Sequence, residues 1–476
     1  MFALAGADIA AAAASAPASQ DRWYAIYAEG GAHIGHASRE VIERADGREV
    51  VESYSIRVQE EGEAATSLSE RTIVREDRSG RTVSIAAEAR NGRGWVRSEA
   101  LIGAGRADVI RRTGTDLARQ IVALPPGVRF DDGDGLLRAW DPQSTPRLEF
   151  DAFSIGANGI ERVVIAPLGG ATRDAQGRLR ALRLRYERGQ VRGISRLLLG
   201  PGGEILEVDQ PMFGSTITLR ATDRTGALRR PSAYSPLRSA LVRSPYRVPP
   251  DALQGRIRYR FAYREGVEFP LPETGEQRAL PEMGGITIDI CGTCGPGLAT
   301  DPTSLAEALA PTPWLQIRDA RIRSVAAPVA GMSVSEARKM AILAERARSY
   351  LTRIDFTGHF SAVEAMSRGA GDCTEAAVLL AAFGRAAGIP TRVASGLVYS
   401  RQRYHGVSNV FMPHSWVLAF VDGRWRSFDA ALEGFDATHI ALTVGDGDPR
   451  SINAANQLAG LLEWREMTEV RRRSPG

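Results

Sequence analysis

The 476-residue sequence predicts an α+β protein: a large antiparallel β-rich region comes first and a mixed helix-and-strand region last. Three observations predict this. From Trp23 to about residue 225, short apolar runs alternate with polar residues at period two, as in strands with one wet face. After Asp301 the apolar spacing becomes three and four, as in helices with a buried stripe. From Met412 to Leu432 alternation returns on both sides of Asp422-Gly423, which predicts a hairpin.

The chain exceeds one ordinary core, so two or three domains are expected. Hydrophobic residues at 43% and charged residues at 24% suit a globular protein. Sixty basic residues nearly match 56 acidic ones, for a net charge of +4. Lys339 is the single lysine, and the arginines are dispersed among acids rather than clustered, so nucleic acid is not an expected partner. No later stretch has the roughly 18 uninterrupted apolar residues of a spanning helix, so stable membrane insertion is not expected.

Residues 1–21 read as a partial export signal or a disordered tail. The alanine run and Ala16-Pro17-Ala18 suit a cleavage region, although Asp8 interrupts the run and no basic residue precedes it. The expected location is periplasmic or secreted, with the cytoplasm as the alternative. Residues 22–225 form the β-rich domain, with Gly30-Gly31, Asp46-Gly47 and Ser79-Gly80 as turns and one helix around Asp134–Trp140. His33 and His36, three apart, fall on opposite faces of a regular strand, so no metal site is expected there.

Residues 226–252 are rich in Pro, Ser and Arg without a period and read as a linker. Residues 253–300 carry two strands with a Pro/Glu-rich excursion between them and end in Cys291-Gly-Thr-Cys294. Gly295-Pro296-Gly297 follows, so no helix starts as in a redox CxxC, and no second ligand pair for zinc lies nearby. A short structural disulfide in an oxidising compartment is expected. Residues 301–476 form the last domain. A short helix opens at Thr303 or Ser304. A longer one follows Ser333, which stands three before Glu336 at capping-box spacing.

The chemistry concentrates between Arg368 and Asp429. Cys373, the cysteine without an obvious partner, lies in the first turn of an apolar helix that Gly388-Ile389-Pro390 ends. Helix-start N–H groups and the dipole would stabilise a thiolate there and could hold an oxyanion. His414 sits on the first hairpin strand. Across a turn centred between Asp422 and Gly423, opposed residue numbers sum to 845, which makes Asp429 a diagonal neighbour of His414 on the same face. A thiol, an imidazole and a carboxylate in this order suit a nucleophile, its base and the group that orients the base. Trp416 and the loop residue His405 are candidate substrate contacts.

GDCTEAAVLLAAFGRAAGIPTRVASGLV followed by HSWVLAFVDGRWRSFDAA resembles the transglutaminase-like superfamily as found in bacteria. The resemblance implies a papain-like α+β core with Cys373 as nucleophile, His414 as base and Asp429 orienting it. It implies thiol-dependent acyl transfer on peptide or protein amides, cell-wall peptide included, by hydrolysis, deamidation or transamidation. No EF-hand loop is present, and neither a cofactor nor a metal is expected. The competing readings are a cysteine protease on the same triad and a non-catalytic binding or scaffold protein working through its β domain.

Overall fold

The computed structural model describes residues 21–470, apart from 61, 63, 92–93, 114–115, 132, 157–158, 188, 213, 265–266, 356–358 and 433. Except for Asp21, the export-signal segment lies outside the described residues. The chain divides between Pro236 and Leu237 into two compact units.

In the first unit, 14 strands between Arg22 and Thr222 pair into one sheet, antiparallel throughout the described residues. Numbered along the chain, their order is 8-7-6-5-4-3-2-1-14-13-12-11-10-9. Two meanders therefore meet where Arg22–Tyr27 pairs with Ser215–Thr222. Val74, Ile85, Val109 and Val122 share a core with Phe153 and Ile155, so the sheet curls until residues from its two ends meet. Gly30 and Gly31, at φ 87° and 84°, turn the first hairpin in the left-handed region that glycine adopts without strain. The expected helix is present at Asp134–Ala139.

The two histidines depart from the regular-strand reading. Ala25 opposes His36 and Tyr27 opposes His33, with a bulge between Ile26 and Tyr27. The extra residue brings His33 and His36 to one face, beside Tyr27 and Trp23 respectively. A strand period read from sequence misses this because the bulge is set by the partner strand.

Residues 226–252 hold helical turns at Pro236–Ser239 and Pro250–Leu253, and Val242–Arg243 adds a short strand. In the second unit one sheet runs Gln277–Glu282, Gly285–Ile290, Ile257–Tyr263, Leu462–Glu469. The strand Gln277–Glu282 lies inside the Pro/Glu-rich excursion, as a third strand of this segment. Directly after Ile290, Cys291 and Cys294 are joined by a disulfide. A second sheet runs Val242–Arg243, Val410–Val421, Thr391–Ser400, Ile440–Gly445, with Arg424–Phe428 also paired to Val410–Val421, and Arg353–Ile354 pairs in parallel with Ala370–Gly371.

The helix Cys373–Ala386 forms the core of this unit, buried at every residue from Thr374 to Arg385. It is apolar on nearly all sides, the pattern of a helix enclosed by others. Val325 and Val329, Met340 and Leu343, and Val393, Val417 and Ala419 enclose it. Leu379, Leu380 and Phe383 are 0% exposed, each burial stabilising by about 1.5–3 kcal/mol. Gly388 at φ 84° and then Pro390 stop the helix.

Two helix starts differ from expectation. Asp301 caps Pro302–Glu307, because Pro302 presets the first helical φ. Ser335, not Ser333, caps Glu336–Tyr350, its hydroxyl accepting the Arg338 N–H at 3.3 Å. A capping box needs Glu at the third helical position, whereas Glu336 is the first. Its carboxylate instead accepts the Asp422 N–H at 2.9 Å, tying the helix start to the hairpin turn. Ser335→Ala is expected to cost about 1 kcal/mol and Ser333→Ala less than about 0.5. Urea midpoints of the two variants check this, and equal losses would refute the assignment of the cap.

Candidate active site

Cys373 is the first residue of its helix, after the N-cap Asp372. The capping box here is Asp372 with Glu375. Asp372 Oδ1 accepts the Thr374 N–H at 2.7 Å, and Glu375 Oε2 accepts the Asp372 N–H at 3.0 Å. Glu375 Oε1 accepts the Phe360 N–H at 3.0 Å, so one buried carboxyl fastens the neighbouring chain to the helix start. Burial, then the charge of Asp372, raises the Glu375 carboxyl well above its ordinary range.

Cys373 is a free thiol and partly exposed. The Ser415 N–H donates toward its sulfur, which places the thiol against the strand beside His414. Burial and the Asp372 charge push the thiol up, Asp429 adds to this, and the Ser415 N–H opposes it. The expected thiolate stabilisation by the helix start is thus countered by the cap itself. The Asp372 carboxylate accepts first-turn N–H groups that would otherwise face the sulfur or an oxyanion. Together these influences favour the thiol over the thiolate.

His414 lies on Val410–Val421, buried at 6% exposure. The hairpin keeps the expected register: Val421 opposes Arg424 and Val417 opposes Phe428, where pairing ends. Asp429, the next residue, turns its Oδ2 to His414 Nε2 at 2.7 Å. Nδ1 is then the ring nitrogen that Asp429 does not hold. Asp429 Oδ1 accepts the N–H groups of Ala431 at 2.7 Å and Leu432 at 2.9 Å. Burial alone would raise this carboxyl. His414, then His439, overcome it and hold Asp429 well below the usual carboxylate range.

His439 carried no usable sequence pattern. It is 1% exposed, and its Nε2 lies 3.1 Å from the same Asp429 Oδ2. Its Nδ1 lies 3.1 Å from Asp436 Oδ1. Burial lowers this imidazole, but Asp429 and Asp436 outweigh burial and raise it to about 9. His439 precedes Ile440–Gly445, which reaches the site by pairing with Thr391–Ser400. At that contact Gly396 has no alternative, since a Cβ there would sit 1.9 Å from Ile440 O. The nitrogens of His414 and His439 and the Asp429 carboxylate lie within 4.8 Å of one another, close enough to consider for a cation. Here both Nε2 atoms donate to the shared carboxylate oxygen, so hydrogen bonds account for the grouping.

Trp416, a candidate substrate contact, is 1% exposed. Its ring lies near parallel to His414 at 6.2 Å and edge-on to His439 at 5.1 Å, so it backs both imidazoles rather than lining an open cleft. His405 is half-buried in the loop 401–409, at φ 45°. Beside it, Tyr404 donates its hydroxyl to Gln402 Oε1 at 2.9 Å. Tyr404 and Val407 exchange both backbone hydrogen bonds at 2.8 Å, closing a tight turn. Burial raises the Tyr404 hydroxyl against a Ser400 hydrogen bond, and Cys373 adds to the rise, so the phenol lies within electrostatic reach of the sulfur. A tyrosine in a polar loop gave no signal of this in the sequence.

Residues 323–430, which contain Cys373, His414 and Asp429, match the family model of the transglutaminase-like superfamily. The carboxy-terminal region is a transglutaminase-like domain. Among solved structures, the chain is similar to a candidate cysteine protease from Cytophaga hutchinsonii, at 15% identity and a TM-score of 0.28, covering 46% of this chain and 84% of that one. It is similar to the periplasmic domain of TgpA from Pseudomonas aeruginosa bound to ethylmercury, at 14% identity and a TM-score of 0.24, covering 57% and 71%. A beta-barrel-like protein from Brucella abortus is similar at 11% identity and a TM-score of 0.32, covering 43% and 95%. No curated protein matches the chain.

Proposed function

We propose that the protein is a cysteine acyl-transferase or hydrolase acting on peptide or protein amides through Cys373, His414 and Asp429. The observation that carries this is the buried His414–Asp429 hydrogen bond beside a free thiol at a helix start. His414 Nδ1 takes the proton from Cys373 as the sulfur attacks the carboxamide carbon. The resulting imidazolium, held by Asp429, returns that proton to the departing ammonia or amine, and a thioester remains. Water on the thioester gives hydrolysis or deamidation, and an amine gives a crosslink. Because burial and Asp372 keep the thiol protonated, His414 acts as a general base on it rather than as partner to a standing thiolate.

The disulfide Cys291–Cys294 supports an oxidising location such as the periplasm or the cell exterior. Cell-wall peptide would be an available substrate there. No helix among the described residues is long and apolar enough to cross a membrane. A cysteine protease on the same three residues differs only in the bond cleaved.

A library of glutamine-containing peptides separates the outcomes. Ammonia release is expected, falling by about four orders of magnitude in Cys373→Ala. Peptide fragments without ammonia would assign a protease. Turnover that survives Cys373→Ala would refute the thiol mechanism.

A further inference from the structure

We propose that His439 is a positioning residue for this reaction: it shares the Asp429 oxygen that His414 uses, fixes the carboxylate plane, and balances part of the carboxylate's charge. The inference rests on the proposed role of His414 as base.

Asp429 receives four donors: two backbone N–H groups on Oδ1 and two imidazoles on Oδ2. Two donors on each oxygen leave the carboxylate no freedom to rotate. The His439 ring is held as firmly. Its Nδ1 faces both the Asp436 N–H at 3.2 Å and Asp436 Oδ1 at 3.1 Å, so it has a partner whether or not it carries a proton. Asp436 Oδ1 in turn accepts the Thr438 N–H at 2.8 Å and hydroxyl at 2.6 Å. Neighbouring strands and helices pin this turn from outside. Tyr259 donates its hydroxyl to Ala437 O at 2.9 Å, the Ala437 N–H donates to Leu253 O at 2.8 Å, and the Tyr399 N–H donates to Thr438 Oγ1 at 3.2 Å.

The charged groups facing His439 are Asp429 and Asp436, and His414 meets its ring edge-on at 5.7 Å. Trp416 and Phe435 complete its surroundings without charge. Stability alone does not call for such a group, since an apolar side chain at a buried ionic position is often neutral or better. What the imidazole adds is charge. Raised to about 9 by its two carboxylates against burial, His439 is cationic at neutral pH. A cation on Asp429 offsets part of the carboxylate's negative charge at the oxygen that His414 also uses. The Asp429 charge already raises the Cys373 thiol, so leaving that charge less balanced raises it further.

The test is the pH profile of Cys373 alkylation by iodoacetamide, which needs no substrate and reads the one free thiol of the described chain. His439→Gln keeps an N–H for Asp429 without the charge. Its acid limb is expected to move to higher pH by about one unit. His439→Leu loses the donor as well, and its plateau rate is expected to fall by about 10–100-fold. A Gln variant with native circular dichroism and an unmoved limb overturns the proposal. If neither variant folds, imidazole NMR of the wild-type protein decides, and a neutral His439 at pH 7 overturns it too. A normal alkylation profile without peptide turnover would defeat the proposed function and leave this inference standing.

Discussion

Asp429→Ala is expected to lower turnover by about three to four orders of magnitude and folding stability by about 3–5 kcal/mol. Both losses come from the same four hydrogen bonds. Without the carboxylate, His414 is free to rotate and its imidazolium has no counter-charge. The Ala431 and Leu432 N–H groups lose their acceptor, and His439 keeps a buried charge balanced by Asp436 alone. The stability loss should depend on pH. The depressed Asp429 carboxyl contributes stability above its unfolded value of roughly 4, lost as pH falls further. The raised His439 contributes stability in full below its unfolded value of about 6.5. That contribution is lost as pH rises through about 9. The gap in urea midpoint between wild type and variant should therefore be widest between roughly pH 4 and 6.5 and narrow on either side. A gap that stays constant from pH 5 to 10 would contradict the charged pairing.

Arg385→Ala is expected to cost about 3–5 kcal/mol while leaving the folded protein's chemistry nearly intact. Arg385 stands in the last turn of the helix that begins at Cys373, and its side chain is 0% exposed. Its guanidinium donates to Thr391 O at 3.2 and 2.7 Å, to Ala310 O at 2.5 Å, and to Asp446. Truncation leaves two carbonyls short of a donor and Asp446 with Arg392 alone. Thermal melting should show the loss, and the Cys373 alkylation rate well below the melting point should stay within about twofold, since the thiol lies at the far end of the helix. A variant less than about 1 kcal/mol below wild type would show that this ionic anchor contributes little.

These two side chains were not equally legible. Asp429 could be placed because the Asp422-Gly423 turn fixes a hairpin register, and a register carries one residue's position to another only a few positions away. Cys373 could be placed because a glycine, an aspartate and an apolar helical run are contiguous. Arg385 reads as one more charge on a helix. Its burial depends on Ala310, Thr391 and Asp446, which arrive from three separate segments. His439 was invisible for a similar reason. The strand after it meets the site by pairing with Thr391–Ser400, a contact with no local signature. The His33–His36 face was misjudged because a partner strand imposed the bulge, and the Ser335 cap because two serines offer the same hydroxyl near one helix start.

The sequence by itself determined the order of a β-rich region before a helix-and-strand region, the cysteine helix, the hairpin and its register, and the three residues of the candidate site. Each follows from a short-range rule of periodicity, turn chemistry or helix termination. The tertiary structure alone decided that Asp372 offsets the helix-start field at Cys373, that Trp416 stands behind the imidazoles, that Tyr404 comes within electrostatic reach of the thiol, and that His439 shares the carboxylate of Asp429. Burial and charge proximity are properties of segments brought together in space, and no window along the chain contains them.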